Sequence, residues 1–203
     1  MVRSRVRSNS IWTPANIVTL VRVVFMPVWL LVAEAAREGG HLGTLSVLPW
    51  VSFLLFAAIA LTDKLDGYLA RSRGEVTTFG KFLDPIADKL CVTCALLYLL
   101  ELGLVPSWAV LIILAREFLV SGLRMVVASE GTVIAASNLG KWKTAVTMLS
   151  IGGYLLSVTL PTSFIATALL VLSNILMAIA VVLTAWSGID YLIKSWPSVA
   201  GSR

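Results

Sequence analysis

Six apolar runs divide the chain, at about Ile17–Ala36, Leu45–Leu61, Ile86–Leu100, Trp108–Ala128, Ala145–Leu160 and Phe164–Trp186. Each approaches the roughly 20 apolar residues that carry a helix across a bilayer. The connectors hold helix-breaking residues: Gly39-Gly40, Gly103 to Pro106, and Pro161. The pattern predicts an all-α polytopic membrane protein with six transmembrane helices, built as one domain over residues 1–203. Residues 1–16 form an N-terminal arm. Its segment Ser10 to Asn16, with Ile11, Trp12 and Pro14 beside basic residues, reads as a short interfacial helix or as a disordered tail.

Composition agrees. Of 203 residues, 58% are hydrophobic and 13% charged, and mean hydropathy is +0.91. A soluble domain with that balance would expose too much apolar surface. The run after Ile17 is too long for a cleavable signal and reads as a span that stays.

The net charge of +5 would suggest nucleic acid in a soluble protein. Here the distribution points to orientation and anionic lipid, with no nucleic-acid partner. With the N-terminus in the cytoplasm, Arg3, Arg5, Arg7, Arg71, Arg73, Lys81, Lys141, Lys143 and Lys194 fall on the cytoplasmic side, against Arg37 outside. Both termini are then cytoplasmic, as in a multi-pass protein of the cell (inner) membrane. Trp12, Trp50, Trp108, Trp142, Trp186 and Trp196 fall near the span ends, as an interfacial belt does. Cys91 and Cys94 have redox-like spacing, but His41 is the sole histidine, so they read as small core residues.

The chemistry concentrates between Asp63 and Asp88. Asp63 and Asp66 stand three apart at the end of the second run, and Asp84 and Asp88 four apart at the start of the third. Both spacings place carboxylates on one helix face. A short loop joins the runs, so four carboxylates can meet near the cytoplasmic interface. Carboxylates there are costly unless paired or coordinated. Hard oxygen donors select magnesium, manganese or calcium, and two bridged ions suit phosphoryl chemistry. Salt bridging by Lys64, Lys81, Lys89 and Arg71 is the plainer reading. Gly67 and Gly80 allow close approach of a phosphate, or simply of another helix.

The stretch D-x-x-D-G-x-x-A-R, then G-x-x-x-D-x-x-x-D, resembles the signature of the CDP-alcohol phosphatidyltransferase family, matched without a gap from Asp63 to Asp88. The resemblance implies a six-helix membrane fold, commonly homodimeric, whose cytoplasmic site holds Mg2+ or Mn2+, with two ions expected. It implies Asp63, Asp66, Asp84 and Asp88 as metal ligands, with Asp88 also the base that activates the acceptor hydroxyl. Gly67, Arg71 and Thr77, with Gly80, would hold the CDP part of CDP-diacylglycerol. Asn16 and Thr19 look like the family's nucleotide-contacting N-x-x-T stretch.

Arg116 and Arg124 lie eight residues apart in the fourth run, near one helix face. With Arg22, Lys141 and Lys143 they could form a positive pocket for a phosphorylated acceptor. The alternatives are pairing of Arg116 with Glu117 and interfacial anchoring of the others. The segments A-R-E-x-x-V-S-x-L-R and I-A-A-S-x-x-G-K-x-K-T are similar to those of the family's bacterial phosphatidylglycerophosphate synthase branch. That similarity implies glycerol 3-phosphate as acceptor. Rival readings are a phosphatidylinositol-phosphate, cardiolipin or phosphatidylserine synthase, or a membrane transporter.

Overall fold

The computed structural model describes residues 13–39, 47–73, 78–129 and 138–200. Over 63–73 and 78–82 and at Asp84, the description covers the helical backbone and not the side chains. Six helices and no strand occur among the described residues: α1 (Pro14–Gly39), α2 (Val47–Arg73), α3 (Thr78–Glu101), α4 (Ser107–Ser129), α5 (Asn138–Thr159) and α6 (Phe164–Ala200). The basic arm from Arg3 to Arg7 and the Gly39-Gly40 connector beyond Gly39 lie outside the described residues.

Several helices outrun their apolar cores. Helix α2 continues from Leu61 to Arg73, α3 begins at Thr78 rather than Ile86, and α6 runs to Ala200 rather than Trp186. Backbone hydrogen bonds do not depend on side-chain polarity, so a helix extends past the point where its surface becomes charged. At the tail of α6, Lys194 Nζ donates to Asp190 Oδ2 at 2.7 Å, one turn apart.

The chain ends of the helices follow capping chemistry. The Asn16 N–H donates to Thr13 Oγ1 at 3.3 Å, and Pro14 takes the first helical position, where its missing N–H costs nothing. Pro14 to Asn16 are therefore the first turn of α1; residues 1–12, with the rest of the expected arm and interfacial segment, lie outside the described residues. Ser163 caps α6 in the same way, accepting from Ala166 N–H at 3.3 Å. Helix α3 is closed two residues past Glu101 by Gly103, whose φ of 71° is left-handed. There Gly103 N–H donates to Leu100 O at 2.9 Å and Leu104 N–H to Leu99 O at 3.0 Å, which together close a Schellman turn.

The residues group into two compact units, Met1–Ala95 and Leu96–Arg203. In the first, α1 packs on α2. Trp29 is fully buried, its ring 5.3 Å from Phe56, and its Nε1 donates to the Ser52 carbonyl at 3.1 Å. In the second, α5 and α4 each pack on α6. Gly153 of α5 meets Ser173 of α6 so closely that a Cβ would overlap the hydroxyl, and Ser150 Oγ donates to Ser173 O at 2.8 Å. Cys91 is buried and Cys94 half-buried, and the two are not bridged by a disulfide.

Helices α1 and α6 each hold a stretch long and apolar enough to cross a membrane, Asn16–Glu38 and Phe164–Trp196. Large apolar side chains face outward, Leu31 at 71% exposure and Ile193 at 67%, as lipid contact requires. Of the tryptophans near span ends, Trp50, Trp108, Trp142, Trp186 and Trp196 are all exposed.

Candidate active site

The acidic stretch lies on two helices of the first unit. Helix α2 carries Asp63, Asp66, Gly67 and Arg71 in its last three turns; α3 carries Gly80, Asp84 and Asp88 in its first three. Each aspartate pair spans one helical turn, so each shares a helix face. Asp88 is half-buried between the fully buried Ala87 and the buried Cys91, and it and Lys89 are each engaged with a neighbour. Thr77 lies outside the described residues.

Helix α1 turns a single stripe inward: Asn16, Thr19, Arg22, Met26, Trp29, Ala33 and Ala36. Its spacing of three and four is that of one helix face. The first three members are polar, between 1% and 3% exposed; the rest are apolar. A connection as short as 40–46 makes α1 and α2 antiparallel neighbours. Trp29 stands opposite Ser52 and Phe56. Carried along the pair, that register brings Asn16 and Thr19 level with the stretch of α2 that bears Asp63, Asp66 and Gly67.

Two of the basic candidates of the second unit, Arg116 and Lys143, meet on Glu117. Lys143, buried, donates through Nζ to Glu117 Oε1, and Arg116 Nη1 donates to the same oxygen at 3.4 Å. Arg116 also donates through Nε to Ser187 Oγ on α6 at 3.1 Å. Arg124 is exposed and lies over the Tyr191 ring, 5.6 Å from its centroid. Lys141 is exposed, and Arg22 belongs to the first unit. So Arg116 and Lys143 are brought together, with one carboxylate between two cations. Ser187, Gly188 and Tyr191 escaped sequence reasoning. Their signal was weak: small and polar residues at helical spacing in a run that is otherwise apolar.

A model of the family described as CDP-alcohol phosphatidyltransferase matches residues 12–186. The chain belongs to the CDP-alcohol phosphatidyltransferase family. It is 37% identical over 192 residues, 93% of this chain and 97% of the relative, to the CDP-diacylglycerol–glycerol-3-phosphate 3-phosphatidyltransferase of Bacillus subtilis (strain 168). It is 41% identical over 189 residues, 93% of this chain and 84% of the relative, to a probable phosphatidylglycerophosphate synthase of Mycobacterium tuberculosis (strain ATCC 25618 / H37Rv). A Haemophilus influenzae protein with the same name as the Bacillus relative is 36% identical over 181 residues, 86% of this chain and 88% of its own. The chain is thus a transferase of membrane phospholipid synthesis, which removes the transporter reading. The family is generally dependent on divalent metal.

Proposed function

We propose that this protein transfers the phosphatidyl group of CDP-diacylglycerol to sn-glycerol 3-phosphate, giving phosphatidylglycerol phosphate and CMP. The observation that carries the reading is similarity along 93% of the chain to relatives named for this reaction. A basic cluster around Glu117 on α4 and α5 agrees with a phosphorylated acceptor.

Asp63, Asp66, Asp84 and Asp88 are the metal ligands in this reading. Their fit rests on donor chemistry: four carboxylates, paired one turn apart on two helices joined by a short connection, match hard divalent cations such as Mg2+ or Mn2+. Two such ions, when bound, neutralise the pyrophosphate and favour departure of CMP. Asp88 accepts the proton of the acceptor hydroxyl as that oxygen attacks the β-phosphorus. Gly67 and Gly80 let the phosphates approach the helix backbone. Asn16, Thr19, Arg71 and Thr77 hold the nucleotide. Arg116 and Arg124, with Arg22, Lys141 and Lys143, hold the acceptor phosphate; an arginine fork suits its oxygens. Glu117 keeps the buried Lys143 and Arg116 from facing each other uncompensated.

In this reading the six helices all span the cell (inner) membrane as one domain over residues 1–203. Both termini and the active site face the cytoplasm, and the protein works as a homodimer. CMP release by purified protein with CDP-diacylglycerol and Mg2+ tests the reaction, with glycerol 3-phosphate, inositol phosphate, serine and phosphatidylglycerol as acceptors. Turnover with glycerol 3-phosphate alone is expected. Turnover with another acceptor instead would keep the metal site and discard the acceptor assignment.

A further inference from the structure

One face of α6 is polar where α4 packs against it. Thr184, Ser187 and Tyr191 follow at spacings of three and four, each under 5% exposed. Gly188 lies beside them, in contact with Arg116. Both α4 arginines meet this face. Ser187 Oγ donates its one proton to the Thr184 carbonyl at 3.1 Å, which turns its lone pairs outward. Arg116 Nε donates to that oxygen at 3.1 Å. At Gly188 a Cβ would stand 3.0 Å from Arg116 Cγ, so the missing side chain is the space through which the arginine stem passes. One turn further on, the Tyr191 ring carries Arg124 at 5.6 Å. Among the described residues, Arg116 uses Nε on Ser187 and Nη1 on Glu117, and its guanidinium has five N–H donors to share with a further ligand.

We infer that Ser187, Gly188 and Tyr191 of α6 are positioning residues that seat Arg116 and Arg124 for the acceptor phosphate. This rests on the reading that those arginines bind that phosphate. Ser187, Gly188 and Tyr191 lie just past residues 12–186, which match the family model, so family membership alone does not assign them. A seat of this kind acts on acceptor affinity. An arginine held at Nε presents its fork in one orientation, and the entropy of fixing it is already spent before the ligand arrives.

Steady-state kinetics of CMP release, with each substrate varied in turn, tests the seat. The set is wild type, Arg116→Ala, Ser187→Ala, Ser187→Thr, Gly188→Ala, Tyr191→Leu and Tyr191→Phe. Ser187→Ala and Tyr191→Leu are each expected to raise KM for glycerol 3-phosphate about tenfold, the loss of one bond or ring contact to a cation. Gly188→Ala is expected to raise it roughly threefold, because the stem has only tenths of an ångström to yield. KM for CDP-diacylglycerol stays put throughout. Ser187→Thr and Tyr191→Phe, which keep the hydroxyl and the ring, restore the acceptor KM.

If Arg116→Ala raises the acceptor KM but Ser187→Ala and Tyr191→Leu do not, the seat is wrong and the pocket stands. If Arg116→Ala leaves that KM unmoved, or wild type does not turn over glycerol 3-phosphate, the pocket itself is wrong and the seat falls with it. A lower melting point with unmoved KM would make these residues merely structural and overturn the inference. Should Tyr191→Leu not fold, Ser187→Ala decides, since it removes a single oxygen.

Discussion

Helices α1 and α6 both bury polar residues, but they distribute them differently. On α1 the buried stripe is zoned: Asn16, Thr19 and Arg22 occupy the first turns, and apolar residues follow from Met26 to Ala36. On α6 the buried polar residues are spread along the helix, at Ser173, Thr184, Ser187 and Ser195 among apolar neighbours. Most of these hydroxyls are satisfied within their own helix. Ser173 donates to Leu169 O, Ser187 to Thr184 O and Ser195 to Tyr191 O. A hydroxyl that bonds back to its own turn asks nothing of its neighbours and lets another helix come close. A zone that holds an amide and a guanidinium at one end of a helix carries more polar capacity than back-bonding hydroxyls do. Polarity inside a membrane helix therefore signals chemistry when it is bunched and packing when it is dispersed, and Ser187 is the case where a packing hydroxyl also takes an arginine.

The sharpest way to break this contrast is at the acids. Asp88→Asn should cut CMP release about a thousandfold while the melting temperature in detergent moves little, as expected for loss of a base and metal ligand. Chelation by EDTA should give the same loss in wild type and be reversed by added Mg2+ or Mn2+. Retained activity in either test would remove the aspartates from the site.

Next in size is Glu117→Gln. It leaves Lys143 and Arg116 facing each other without a carboxylate, at a cost of about 3 kcal/mol, read as a lowered unfolding midpoint. An unchanged midpoint would mean that solvent or lipid phosphate compensates them already.

Thr19→Ala tests the polar zone of α1. A roughly tenfold rise in KM for CDP-diacylglycerol, with folding intact, is expected of a nucleotide contact. A loss of stability alone would make the zone another packing feature.

In the dispersed seam, Gly153→Ala should destabilise by about 1 kcal/mol, because its methyl displaces the Ser173 hydroxyl, and Ser173→Ala should recover most of it. Smallest of all is Ser157→Ala. Its hydroxyl donates only to Tyr154 O in the same helix, so a change within about 0.5 kcal/mol and unaltered turnover are expected.

The sequence revealed helices well and faces poorly. Every apolar run became a helix, in which each backbone group finds its partner within the run. Apolar runs understate helix length where apolar character stops before hydrogen bonding does, as from Leu61 to Arg73 and from Trp186 to Ala200. The aspartates could be picked out because two one-turn spacings near hydrocarbon are chemically costly. Arg116 was legible for the same reason, and so was its pairing with Glu117 as an alternative. Ser187 and Tyr191 were not. A lone serine in an apolar run looks alike whether it faces lipid, a neighbouring backbone or a guanidinium, and only the packing of α4 on α6 tells these apart.

The turn at Gly103 has a practical corollary. Two crossed hydrogen bonds, a left-handed glycine and Pro106 three residues later leave no slack between α3 and α4. A protease needs several residues of pliable chain in its cleft, and an inserted epitope needs ends that can part. Neither finds them here. Anyone placing a tag, a fluorophore or a cleavage site in this protein should leave residues 102–106 intact, however accessible they look on a topology diagram.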